Sequence, residues 1–168
     1  MVTDTARNWP WGAIVASAAL LAVAHAFQTF GHMAPCELCL KQRLIYWIAI
    51  AVAVAGLAAR GGVKGRDLTL WLNALLTLVF LAEFGLAAYH AGVEWKFWPG
   101  PAACTGGAMR VDPAALERLL SGAKMGLPSC DKPAFVFLGL SMAGWNALAA
   151  AALTLLSGAA VVKSGPPS

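Results

Sequence analysis

Residues 11–59 read WGAIVASAALLAVAHAFQTF, GHMAPCELCLKQR, LIYWIAIAVAVAGLAA. The outer blocks, Trp11 to Phe30 and Leu44 to Ala59, contain no charged side chain, and between them lies Cys36-Glu37-Leu38-Cys39, with Arg43 four residues further on. A helix needs roughly 20 apolar residues to cross about 30 Å of hydrocarbon. The pattern therefore predicts two membrane spans bracketing a dithiol, and so thiol chemistry at a membrane surface.

The rest of the chain agrees. Of its 168 residues 60% are hydrophobic and 12% charged, with a mean hydropathy of +0.69, whereas soluble domains carry about 25% charged residues. Spans are predicted at about 11–30, 43–59, 68–90 and 134–156, in a single all-α membrane domain. Helices follow because they satisfy their own backbone polar groups in lipid. The first apolar run is longer than a typical signal-peptide core and reads as a retained span. The net charge of +4 and the pI near 9.1 come from basic residues scattered over short loops, which points to membrane topology and not to nucleic acid.

Four spans place both termini on one side and the loops at about 31–42 and 91–133 on the other. Arg60, Lys64 and Arg66 favour a cytoplasmic second loop under the positive-inside rule. The long loop holds more basic residues, but long loops weigh less in that rule, and all four cysteines fall in the two loops placed outside, where disulfides persist. Within the long loop, Asp112-Pro113 followed by Leu116, Leu119 and Leu120 predicts a short amphipathic helix on the bilayer surface. Trp95, Phe97 and Trp98 read as an interfacial aromatic belt.

The cysteines form a tight pair, Cys36 and Cys39, and a wide one, Cys104 and Cys130. Four thiols permit three pairings. A zinc site with four cysteines usually shows two close pairs, so no metal is expected. Two inert disulfides are one reading; a redox relay is the other, since CxxC pairs are typically redox-active. With the second helix starting near Cys36 to Leu40, Cys39 falls in its first turn, where the macrodipole favours a thiolate. Arg43 lies one turn on, either stabilising negative charge there or snorkelling as an interfacial anchor. The chain carries no haem, flavin or metal motif, which leaves a lipid-soluble quinone as the economical electron acceptor.

Other polar residues in or beside the spans have two readings each. His90 ends the third span, either as a plain interfacial histidine or as a donor to a quinone carbonyl. Gln28 is a neighbour of the quinone pocket or interhelical glue. Glu83 lies within a span, where an ionisable group should face the bundle, as a proton relay or a packing residue. His25 reads as a satisfied interior histidine.

Cys36-Glu37-Leu38-Cys39-Leu40-Lys41-Gln42-Arg43 resembles the signature of the DsbB family of disulfide-bond formation proteins. Tyr89-His90-Ala91-Gly92-Val93-Glu94-Trp95, leading to Cys104, and Phe137-Leu138-Gly139-Leu140-Ser141-Met142-Ala143-Gly144-Trp145 are similar to further patterns of that family. The likeness runs from the first span to about Leu156, and Asp131 to Phe135 follow the pattern only loosely. It implies a bacterial inner-membrane enzyme that reoxidises a periplasmic thioredoxin-fold (DsbA-like) oxidase and passes electrons to ubiquinone or menaquinone. It implies that the partner attacks Cys104, that Cys130 resolves the mixed disulfide and then joins Cys36, and that Cys39 faces the quinone beside Arg43. A vitamin-K-epoxide-reductase-like protein shares the chemistry, but there the loop pair precedes the CxxC. A membrane scaffold with structural disulfides is the non-enzymatic alternative.

Overall fold

The structure is a computed structural model that describes residues 4–60, 66–101 and 129–164. Its helices are α1 (Asp4–Thr29), α2 (Glu37–Ala59), α3 (Arg66–Glu94) and α4 (Met142–Ser164), all long and apolar enough to cross a membrane. Each packs against its neighbours in chain order, α4 closes back on α1, and α3 and α4 share the most extensive contact. The chain is thus a four-helix membrane bundle. The expected helix at 112–120 lies outside the described residues.

The bundle has an apolar core, with Leu72, Leu76, Phe80 and Leu153 buried, but unlike a soluble one it is apolar outside as well and buries several polar groups. Trp47, Leu78, Leu155 and Val162 face outward, while Ser17, Gln42, Asn73, Glu83, His90, Ser157 and Ser164 are buried. Lipid tails give helices no hydrophobic reason to associate, so close packing and internal hydrogen bonds hold them together. Ala13, Ala49, Ala53 and Ala150 bring the backbones close, and Trp9 Nε1 donates to Ser157 Oγ at 2.9 Å between α1 and α4.

One end of the bundle is tied by a backbone defect and its repair. Pro10 lies inside α1 and has no N–H to give to the carbonyl of Ala6, four residues earlier. Asn73 supplies the missing donor, its Nδ2 bonding to Ala6 O at 3.0 Å and to Ser164 Oγ at 3.1 Å. Arg60 Nη1, at the end of α2, donates to Arg7 O at 2.5 Å. The start of α1, the end of α2, the start of α3 and the end of α4 therefore meet there, which makes the topology up-down-up-down and sends the cysteines to the opposite end.

Helix boundaries depart from the sequence expectation, most at the fourth span. That helix is Met142–Ser164 and not 134–156, a displacement of eight residues at both ends. The reason is a tight hairpin in which Val136 pairs with Ser141 and Phe137 with Leu140. Leu138 and Gly139 turn it with φ of 49° and 80°, the doubly positive geometry of a two-residue hairpin turn. Ser141 Oγ then accepts from Gly144 N at 3.1 Å and caps the helix. In α2 the helix starts at Glu37, six residues before the expected span, and α3 runs four residues past His90 to Glu94.

Replacing Asn73 by Ala leaves the Ala6 carbonyl without this donor inside the bundle, at a cost of about 1–2 kcal/mol. The expected result is a lower unfolding midpoint in detergent, with Cys36 reactivity at the far end unaltered; an unchanged midpoint would rule out the repair.

Candidate functional site

Cys36 is the N-cap of α2, with extended backbone (φ −79°, ψ 173°), and its sulfur accepts from the backbone N–H of Cys39 at 3.4 Å. The two sulfurs share a hydrogen bond at 3.0 Å, and both cysteines are free thiols. The amides of the first turn thus point at Cys36 and not at Cys39. The Cys39 thiol, donating across the pair, and the backbone N–H groups of Cys39 and Leu38 draw the Cys36 thiol down to about 7, against a burial that opposes ionisation. Thiolate character at a helix N-terminus follows from the same physics.

Cys130 is buried and engaged in a disulfide whose partner is neither Cys36 nor Cys39. Its sulfur, the Cys36 sulfur and a ring nitrogen of His90 lie within 4.8 Å of one another. Two local features hold Cys130 there. First, α3 ends in a reverse turn in which Phe97 N bonds to Gly92 O at 2.9 Å and Lys96 N to Val93 O at 3.1 Å, with Lys96 in the left-handed region at φ 63°. Second, that turn aims Lys96 Nζ at Asp131, where it meets Oδ2 at 2.6 Å and the carbonyl at 2.7 Å. The Lys96 ammonium, with the Ser129 hydroxyl, holds the Asp131 carboxyl down at about 2. Because its pKa is depressed, this carboxyl contributes stability above the ordinary carboxylate range, and the contribution fades as pH falls toward 2. Cys104 lies outside the described residues.

Beside the thiols a cavity of about 700 Å³ opens between α1, α2 and α4, under the hairpin. Leu20, Val23, Phe27 and Phe137 give it an apolar wall, and Cys39, Gln42, Arg43, His90 and Asn146 also line it. The Arg43 guanidinium donates to Gln28 Oε1 at 2.5 Å and to Ala24 O at 3.0 Å on α1. Gln28 is therefore a support of Arg43 and is not on the cavity wall. His25 is also away from the cavity, on an outward face of α1, with Nδ1 2.7 Å from Leu21 O.

Behind the thiols runs a buried polar chain. His90 Nε2 is 3.7 Å from Cys36 Sγ and 3.9 Å from Glu94 Oε1. Its Nδ1 accepts from Gln42 Nε2 at 3.1 Å. Asn146 Nδ2 donates to Gln42 Oε1 at 2.9 Å and to Glu83 Oε1 at 2.7 Å, and Tyr46 OH donates to Asn146 Oδ1 at 2.6 Å. The sequence marks His90 and Glu83 as candidates, whereas Gln42, Tyr46, Asn146, Glu94 and Lys96 join the site only through the fold. Gln42, Tyr46 and Asn146 carried one signal, that of polar side chains within apolar runs; Lys96 carried none.

Alkylation of Cys36 in the thiol form should titrate near pH 7, below the usual thiol value of about 8.5. Cys39→Ala should move that profile to higher pH, because it removes the largest stabilising hydrogen bond; an unmoved profile would rule out the shared proton. Lys96→Gly retains the turn, since glycine favours the left-handed region, but unclamps Asp131. In a Cys39→Ala background, capture of Cys130 by Cys36, followed by peptide mapping, should slow by about ten- to a hundredfold.

Comparison with known proteins agrees with this arrangement. The family described as "Disulfide bond formation protein DsbB" matches residues 6–160. Disulfide bond formation protein B of Dechloromonas aromatica (strain RCB) is 38% identical over 136 residues, covering 77% of this chain and 76% of that protein. The protein of the same name from Polaromonas sp. is 32% identical over 145 residues, covering 84% and 82%. No solved structure gives a significant match. A free N-capping thiol, a disulfide sulfur within 4.8 Å of it, four membrane-spanning helices and a family match over residues 6–160 lead to one conclusion: this chain belongs to the DsbB family of disulfide-bond formation membrane proteins.

Proposed function

We propose that this protein reoxidises a periplasmic thioredoxin-fold dithiol oxidase and delivers the electrons through its two cysteine pairs to a membrane quinone. The observation that carries the reading is the approach of the Cys36 and Cys130 sulfurs to within 4.8 Å, beside a largely apolar cavity that Cys39 and Arg43 also line.

Thiol–disulfide exchange proceeds by thiolate attack along the S–S axis, so the sulfurs must meet. The partner's thiolate attacks Cys104 of a Cys104–Cys130 disulfide and frees the Cys130 thiolate. Cys130 then attacks Cys36 of an oxidised CxxC, expelling Cys39 as a thiolate toward the cavity. The partner's second thiol, and not Cys130, resolves the mixed disulfide, because attack by Cys130 would only return the reduced partner, and Cys104 recaptures Cys130 to release Cys36. The partner dithiol has then lost two electrons and two protons, and the inner pair holds them as the two thiols described above.

The cavity's residues fit a quinone: it is largely apolar, with a few polar groups, Arg43 and Gln42 among them, in its lining. When bound, a quinone supplies the acceptor for two electrons and two protons. Arg43, with the remaining N–H of the Gln42 amide, would hold its carbonyl end. Arg43 has five N–H groups, and only two bonds of the guanidinium are taken by α1, so donors remain for a ligand. Phe135 and Phe137 of the hairpin stack at 6.5 Å, and Phe27 meets Phe135 at 5.4 Å, which shields the site from water.

In this reading the membrane is the bacterial inner membrane. The three described cysteines sit at one end, facing the periplasm, where a disulfide persists. Both termini, with Arg7, Arg60 and Lys163, face the cytoplasm in accord with the positive-inside rule.

The test mixes purified, quinone-loaded protein with a reduced thioredoxin-fold oxidase and follows quinone absorbance. Wild type should turn over and Cys39→Ser should fall to background, whereas turnover in Cys39→Ser or none in wild type overturns the relay. Arg43→Ala should raise the KM for quinone about ten- to a hundredfold, as loss of a charge-assisted hydrogen bond of about 1.5–3 kcal/mol implies, while leaving resting thiol states unchanged.

A further inference from the structure

Glu83 and Asn146 are buried polar groups for which the exchange steps have no use. Glu83 lies in the middle of α3, fully buried, and its Oε2 has no hydrogen-bond partner among the described residues. Its Oε1 accepts from Asn146 Nδ2, which settles the direction of every bond beyond it. A carboxylate only accepts, and an acid protonated at Oε2 still accepts at Oε1. With the carboxylate, or with the acid protonated at Oε2, Asn146 presents its NH₂ to Glu83, and the second hydrogen of that group reaches Gln42 Oε1. With its oxygen so occupied, Gln42 turns its own NH₂ to His90 Nδ1. Nδ1 then carries no proton, and a neutral imidazole has its hydrogen on Nε2, which faces Cys36 Sγ at 3.7 Å. Tyr46 does not choose this direction, because a hydroxyl rotates to suit either one.

We propose that Glu83, Asn146 and Gln42 are positioning residues that lock His90 as the Nε2–H tautomer and aim that N–H at the sulfur of Cys36. The inference rests on the relay reading for its purpose and on the hydrogen-bond chain alone for its geometry. It assigns His90 a role opposite to that of the histidine in a cysteine–histidine nucleophile pair. Such a histidine accepts the thiol proton at its free nitrogen; here the nitrogen facing sulfur already holds a hydrogen and donates it. A donor stabilises the Cys36 sulfur as a thiolate when it is displaced from Cys130. The other titratable and charged groups around that sulfur are Cys39 on α2 and Glu94 on α3, with Arg43 and Lys132 on the cavity wall. Glu94 Oε1, at 3.9 Å from Nε2, is the competing acceptor for the same hydrogen.

The test reads the tautomer directly. With His25 and His32 replaced by Gln, ¹⁵N shifts of the remaining histidine at pH 8 should show Nε2 protonated and Nδ1 bare. Gln42→Glu swaps the donor facing Nδ1 for an acceptor at nearly the same volume, and should move a proton onto Nδ1. Glu83→Gln can face Asn146 with either end of its amide, so both tautomers should appear. Gln42→Met should slow Cys36 alkylation at pH 7 by about two- to fivefold, as the weakening of one long hydrogen bond to a thiolate implies. Nδ1–H in the wild type overturns the lock, as does an Nε2–H population unchanged in both Gln42→Glu and Glu83→Gln. If one of these variants does not fold, the other decides. Quinone turnover with the wrong tautomer sinks the lock alone, whereas the predicted tautomer without turnover sinks the relay alone.

Discussion

Hydrocarbon offers no hydrogen-bond partners, so a polar group buried in this bundle can be answered only from inside it. That constraint acts at both ends. At one, Pro10 deprives the Ala6 carbonyl of its helical donor and Asn73 replaces it. Toward the other, one carboxyl oxygen, two amides and an imidazole bond in series from Glu83, in mid-helix, to His90. Each repair crosses between helices, so the polar groups that threaten the bundle also fix its register. Interhelical hydrogen bonds in membranes contribute about 0.6–2 kcal/mol each, and the chain around Asn146 joins α2, α3 and α4 through one side chain.

The third helix carries most of this arrangement. Asn73, Glu83 and His90 lie along it, and Lys96 follows its last turn. The seven residues from Glu83 to His90 make about two helical turns, which keeps both on one face. The left-handed residue at Lys96 then turns the chain back, so that its ammonium meets Asp131 next to Cys130. One rigid element thus sets both the imidazole behind Cys36 and the sulfur in front of it. Trp98 fixes the same turn by donating to Tyr89 O at 2.9 Å and stacking on the Tyr89 ring at 5.9 Å.

Sequence alone made the four spans and the dithiol legible because composition is a strong signal in lipid: long uncharged runs have few other readings. The start of the fourth helix was not legible, since Phe135, Val136, Phe137 and Leu138 are as apolar as a span, and the reversal depends on two positive φ values, one of them at a leucine. Cys36 and Cys39 stood out by type and spacing. That the first-turn amide answers Cys36 required the N-cap to be placed within a single residue, finer than periodicity can resolve. Gln42 and Asn146 are far apart in sequence and meaningful only as a pair. Lys96 carries no signal in the sequence, and only the end of α3 gives its ammonium a direction.

The positive charge of Arg43 and the acidity of Cys36 arise from separate sources. Cys36 is stabilised by Cys39 and by backbone amides, so its thiolate does not require the guanidinium. Arg43 is held by a carbonyl and an amide oxygen of α1, both neutral, and no salt bridge to it is found among the described residues. Its charge is therefore fixed in place but not cancelled, at the edge of a low-dielectric cavity where a unit charge acts most strongly. Had a carboxylate positioned it, the site would hold an ion pair with little field left over. Neutral acceptors keep the side chain still and leave its field for any negative charge in the cavity, that of a Cys39 thiolate included.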